Sequence, residues 1–328
     1  MLSKRPALAL LATAFLFLTL TPLDVLAHDG EPPAPHDLWS AWSWEPGILL
    51  GLGITAIAYG QGVHTLWRRA GRGRGVSTRQ TLLFAGGLLV VFAALVSPID
   101  ALSAAFFSAH RVQHMLLILI AAPLLVSGSP LAAVAWAVPK SWRNGLNGWR
   151  RRPALTAVVK FFSHTGIIWA LHAGAIWFWH LPGPYEAAVE NELVHALEHA
   201  SFLGTALLFW WAVAKYFRQE NGYGKAILYL FTMALQGGLL GSLITFSPAA
   251  WYDVHQATYW SLTVLEDQQL AGVIMWVPSG VVYLGAALGI LGAWLLKAER
   301  QDQAFELPSV PQMPDSLSQG EGQAHASK

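Results

Sequence analysis

Seven apolar runs, each close to the length that crosses a bilayer, constrain this chain more than anything else in it. They lie at about 46–67, 80–98, 112–138, 164–181, 195–217, 226–246 and 271–296. A helix needs roughly 20 apolar residues to cross the hydrocarbon core. Lipid supplies no hydrogen-bond partners, so an open strand cannot satisfy its backbone there. None of the runs alternates with the two-residue period of a strand. The expected fold is therefore all-α: a polytopic membrane helix bundle of about seven transmembrane helices. Charged residues make up 12% of the chain, about half the roughly 25% usual for a soluble domain.

The segment before the first run reads as a signal peptide. Lys4 and Arg5 form a basic start, Ala7 to Leu20 an apolar stretch, and Val25-Leu26-Ala27 a cleavage pattern. The expected organisation is a signal peptide or uncleaved first helix at 1–27, an outer segment at 28–45, a membrane domain at 46–298 and a disordered tail at 299–328. Basic residues set the orientation. Arg68, Arg69, Arg72, Arg74 and Arg79 fill the first loop, Lys140, Arg143 and Arg150 to Arg152 the third, and Lys215, Arg218 and Lys225 the fifth. The alternate loops hold Asp100, Glu186, Glu190, Glu192, Asp253, Glu266 and Asp267, with Arg111 as their basic exception. Those loops face outward. The N-terminus is then expected outside the membrane and the C-terminus in the cytoplasm.

With that topology the histidines gather at one side. His110 and His114 open the third run at its outer end, His180 closes the fourth, and His195 and His199 open the fifth. Residues four apart share a helix face, so "HRVQH" and "HALEH" each present two imidazoles together. Such a pair can grip one metal ion. The glutamate of the zinc-protease motif is missing from the first pair, and in the second Glu198 precedes His199, so protease chemistry is not expected. Cysteine is absent, which removes thiolate ligands and nucleophiles. Imidazole then suits Cu, Zn, Fe or Ni, and Met115 beside His114 tilts the choice toward copper. Against this stands the plainer reading of polar side chains joining helices. Ionisable residues inside a span are functional by default, because burying them is costly.

Three further stretches bear on the site. In "WFWHLPGPYEAAVENELVHALEHASFL", Pro182 and Pro184 end the fourth run after His180 and return the chain quickly to His195. "LEDQQLAGVIMW" opens the last run with Glu266 and Asp267, either as an acidic helix start or as groups that orient or join the ligands. Pro123 and Pro130 lie inside the third run and predict a kink or break at mid-depth. His28, with His36 nearby, could chelate Cu(II) if cleavage follows Ala27.

"HRVQHMLLILIAAPLLVSGSP", the His180 to Leu203 stretch and "EDQQLAGVIMWVPSG" resemble the CtaG family of bacterial cytochrome c oxidase assembly factors. The likeness runs from about Trp44 to Leu296. It implies a seven-span inner-membrane protein that matures a haem–copper oxidase, handling copper on the periplasmic side. It maps the family's histidine motifs onto His110, His114, His180, His195 and His199, and its acidic motif onto Asp267. The implied partners are cytochrome c oxidase subunits and a periplasmic copper donor, with membrane lipid around them and no nucleic acid. No catalytic turnover is expected. Copper permeation is an alternative, for which Met233, Met275, His172 and Gln236 are the candidate inner ligands. Haem ligation by histidines on separate helices is another.

Overall fold

The computed structural model describes residues 38–137, 153–252 and 262–306. Signal cleavage, His28, His36, His255, most of the third basic loop and the tail beyond 306 lie outside them. Among the described residues every regular element is helical.

The first helix, α1 (Pro46–Ala70), starts with proline at its first position and ends at Gly71, whose φ of 94° suits glycine. A short loop leads to α2 (Thr78–Val96). Its start is a capping box: Ser77 Oγ accepts from Gln80 N, and Gln80 Oε1 accepts from Ser77 N at 2.9 Å. The short α3 (Pro98–Ser103) then turns the chain toward α4 (Phe107–Met115).

The third apolar run does not form one straight helix. After α4 the ladder widens into a π segment, Leu116–Ala121, followed by α5 (Ala122–Ser127). Pro123 explains this: its nitrogen cannot donate into an α ladder, and a π turn absorbs the gap. The indole of Trp210 donates to the Ile118 carbonyl at 2.9 Å and satisfies part of the segment. The span ends at Ser127 rather than near 138. Ser129 takes a left-handed φ of 52°, and α6 (Pro130–Ala137) packs back against α1. The predicted mid-depth break is therefore present, with a second break at Gly128–Ser129.

The remaining helices are α7 (Pro153–Phe162), α8 (Thr165–Trp179), α9 (Pro182–Glu190), α10 (Glu192–Phe217), α11 (Tyr223–Thr245) and α12 (Val264–Glu306). Six helical segments have the length and apolarity to cross a membrane, while α8, at 15 residues, is apolar but shorter. Six of the predicted runs thus coincide with helices of crossing length, and the fourth with the shorter α8. The chain is a multi-pass membrane protein. The last helix continues to Glu306, past the predicted end of the membrane domain at 298.

Burial identifies the centre. Residues 206 to 213 of α10 are buried without interruption, so this helix is enclosed on all sides. Around it sit the π segment, α5, α8, α9 and α11, and α4 meets it through the rings of its histidines. The most extensive helix pairing among the described residues is α11 with α12, where Gly241 and Gly272 let the backbones meet. A methyl at Gly272 would lie 2.7 Å from the Thr245 backbone nitrogen, a contact that no rotamer change relieves. Gly272→Ala is expected to destabilise the protein by about 1–3 kcal/mol, as overpacking does, measured as a fall in thermal midpoint in detergent.

Candidate metal centre

The site is built where α4 and α10 face each other. On α4, His110 and His114 point the same way, their ring centroids 4.3 Å apart. On α10, His195 and His199 repeat this spacing, also at 4.3 Å. The helices bring the pairs together: His110 lies 5.1 Å from His195 and 5.6 Å from His199, and His114 lies 5.1 Å from His199. Two separated sequence motifs therefore make one cluster.

A fifth group completes it. Glu198 is fully buried, with one carboxylate oxygen 3.3 Å from His110 Nε2 and the other 3.7 Å from His114 Nε2. Glu198 is not among the ligands the sequence predicts, where its position only excludes the protease motif. The available signal was helical: at three residues after His195 and one before His199, it shares their face.

Donor atoms of His110, His195 and His199 lie within 4.8 Å of one another, and so do those of His110, His114 and Glu198. His110 belongs to both sets. Metal–nitrogen bonds of about 2.0–2.1 Å place tetrahedral donors about 3.4 Å apart, so the side chains would have to draw in around an ion. The Nε2 atoms of His114, His195 and His199 and both Glu198 oxygens are buried and have no hydrogen-bond partner among the described residues. Buried polar atoms are normally paired, because leaving one unpaired costs about 1–3 kcal/mol. A cation would satisfy them together, so this donor set fits a metal.

The other predicted residues surround the cluster rather than join it. His180 Nδ1 engages the Ile176 carbonyl at 2.5 Å, and its Nε2 receives Arg111 Nη1 at 2.5 Å. Both ring nitrogens are thus occupied, and the ring anchors a buried guanidinium. Arg111 is 1% exposed, lies over the Phe107 ring and approaches His114 Nδ1 at 3.4 Å. The acidic motif caps α4: Asp267 oxygens accept from Phe107 N at 2.7 Å and Ser108 N at 3.1 Å. Phe106, at the N-cap position, has no side chain able to do this. A carboxylate from α12 therefore fixes the helix that carries the first pair, in line with the dipole. Met115 lies against the core on the inward side of His114. His172 lies deeper, bonded to Thr205 Oγ1 at 2.9 Å.

Losing the Asp267 cap removes two charge-assisted bonds to otherwise orphaned N–H groups. Asp267→Ala is expected to cost about 2–3 kcal/mol and to weaken metal binding by loosening α4. Thermal unfolding with and without metal checks both effects.

The outer side of the cluster is acidic. His195 is half-buried and lies nearest the surface. Glu45, Asp100 and Glu192 stand close enough to interact: the Glu45 carboxyl is raised above the usual carboxylate range, first by partial burial and then by Asp100 and Glu192. Tyr252 closes another side, its hydroxyl donating to the His180 carbonyl at 2.8 Å. Burial pushes that phenol up to about 12, so it stays protonated and keeps donating at neutral pH.

Comparison with known proteins agrees with this architecture. The sequence model of the family described as cytochrome c oxidase caa3 assembly factor (Caa3_CtaG) matches residues 57–297. Uncharacterized proteins of Mycobacterium bovis and Mycobacterium tuberculosis are each 23% identical over 281 residues, covering 83% of this chain. A Mycobacterium leprae relative, also uncharacterized, is 23% identical over 288 residues and covers 82% of the chain. The chain spans 42% of the length of these curated relatives. No solved structure matches it.

Proposed function

The chain belongs to the caa3-type cytochrome c oxidase assembly factor family, and from that premise we propose that it receives copper on the outer face of the membrane, holds it in the histidine–glutamate cage and releases it to an oxidase subunit. The observation that carries this reading is the cage: four imidazoles and one carboxylate converge in an apolar bundle, and the Nε2 atoms of His114, His195 and His199 have no hydrogen bond among the described residues.

Charge supports it. Among the described buried residues the charged side chains other than histidine are Arg111, Glu198 and Asp267. Together these three carry one net negative charge. Asp267 is held by the α4 backbone, which leaves Glu198 facing imidazoles. A bound cation balances that charge where solvent cannot. Imidazole with carboxylate suits copper or zinc, while the family points to copper. Copper here is cargo, so the cage must also let it go. The acidic rim of Glu45, Asp100 and Glu192 raises the local concentration of an arriving cation. The half-buried His195 gives the ion a first ligand at the mouth and deeper ones behind it. The reading includes a periplasmic copper donor upstream, an oxidase subunit downstream, a periplasmic N-terminus and no catalytic turnover.

The test is functional replacement. In cells lacking the chain, the native sequence is expected to restore oxidase activity and oxidase copper content. His110→Ala/His195→Ala, present in the membrane at equal level, is expected to restore neither. Full restoration by that variant would show that the histidines are not needed for assembly.

A further inference from the structure

A methionine-lined cavity adjoins the cage, sharing His114 with it. Met115, Met233 and Met275 come from α4, α11 and α12, far apart in sequence, and all three line a single cavity with His114, His180 and Arg111. They are all the methionines among the described residues. Three thioethers meeting by chance as core filler is the plain alternative, since methionine packs irregular gaps well.

Three observations favour a site. First, His114 is shared: its Nε2 faces Glu198 in the cage, while the residue also lines the cavity. Second, the cavity sits where two helical ladders are interrupted. Ile118 and Leu119 of the π segment form one wall, and α12 contributes Met275 and Ser279 on either side of Pro278. Membrane helices depart from regularity where they line a cavity or site. Third, Met233 Sδ is oriented: Gln236 Nε2 donates to it at 2.8 Å, and Gln236 Oε1 in turn accepts from Trp177 Nε1 at 2.7 Å. A filler thioether needs no such holder.

We propose that this cavity is a second copper site, selective for Cu(I), adjoining the cage. The proposal rests on copper being the cargo of the cage. Thioethers select Cu(I) over Cu(II) and Zn(II). The buried Arg111 guanidinium on the same wall repels a divalent ion more than a monovalent one. The ion moves between His114 and the sulfurs by ligand exchange as Cu(I), with no electron transferred. The two sites then form a short relay, in which the softer site holds reduced copper away from water until the outer donors take it.

The experiment uses the full chain in detergent under reducing conditions. Cu(I) is supplied from a bicinchoninate complex, with Ag(I) as a redox-inert probe, and coordination is read by X-ray absorption. Leucine conserves methionine's volume, so Met115→Leu/Met233→Leu/Met275→Leu should fold, and Zn(II) binding to the cage serves as the control. The expected result is sulfur and nitrogen coordination in the native chain. The triple variant loses the sulfur signal and one equivalent of Cu(I) while keeping Zn(II). His110→Ala/His195→Ala keeps the sulfur-bound ion. Nitrogen coordination alone in the native chain, or an unchanged Cu(I) equivalent in the triple variant, overturns the second site and leaves the cage standing. Sulfur coordination alone, unaffected in the cage variant, upholds the second site and removes the cage.

Discussion

Copper binding is expected to fall by about 100-fold or more when His110 is replaced by alanine, the largest effect of any single histidine in the cluster. Changes to groups that merely orient a ligand already cost about 10–100-fold, and His110 is a donor in both converging sets. Its ring lies 4.3 Å from that of His114 and 5.1 Å from that of His195. Removing it therefore opens both sets at once, whereas His195→Ala or His114→Ala opens one. The graded order, with His110 most sensitive, is what a shared site requires. Equal losses at all four histidines would instead indicate general unfolding. The fold itself should survive, because α4 keeps its Asp267 cap and Phe107 its buried packing. Competition titration against a copper chelator, with the thermal midpoint followed alongside, separates the two outcomes.

Glu198→Gln is expected to uncouple metal from stability. Glutamine keeps the shape of the side chain and removes the charge. A ligand that binds only the folded state stabilises it by about 2.7 kcal/mol at a hundredfold excess over Kd. The native chain should therefore show a clear rise in thermal midpoint on adding copper. In Glu198→Gln most of that rise should vanish, because the carboxylate supplies the charge that the cation balances. Without added metal the variant should be at least as stable as the native chain, since a charge deep in a bundle is costly. A variant with the full copper-induced shift would show that Glu198 is packing, not a ligand. Glu198→Leu gives a second check: it removes the donor atoms entirely while filling the space with apolar volume.

Much of this was written plainly in the sequence because lipid is an unforgiving solvent. Runs of about 20 apolar residues admit helices and little else, so the helices could be read directly, with approximate ends for all but the third and the last. The pairing of His110 with His114 and of His195 with His199 was equally legible, because four-residue spacing fixes a shared face. Their meeting was not. It depends on how α4 crosses α10, which no local pattern encodes. Glu198 was visible but discounted, since its position was compared with a protease motif rather than with the face of its own helix. Depth makes His180 a candidate ligand, and the sequence leaves Asp267 open between a helix start and a group that orients or joins the ligands. The structure instead puts both to work holding others: His180 anchors Arg111, and Asp267 caps α4 from 160 residues away in sequence. Such roles depend on partners that only tertiary contact supplies. The third run showed where breaks would fall, through Pro123 and Pro130, but not that one break would become a π segment and the other a reversal of α6 onto α1.

The measurement that bears most directly on the whole account is the metal content of the full chain, purified in mild detergent after exposure to copper, compared with that of His110→Ala/His195→Ala. The account predicts copper bound through nitrogen in the native protein and absent from the variant, with both folded to the same extent. Equal copper in the two proteins, or none in either while oxidase assembly still depends on the chain, would contradict it, and the buried histidines would then be helix-to-helix contacts rather than a copper cage.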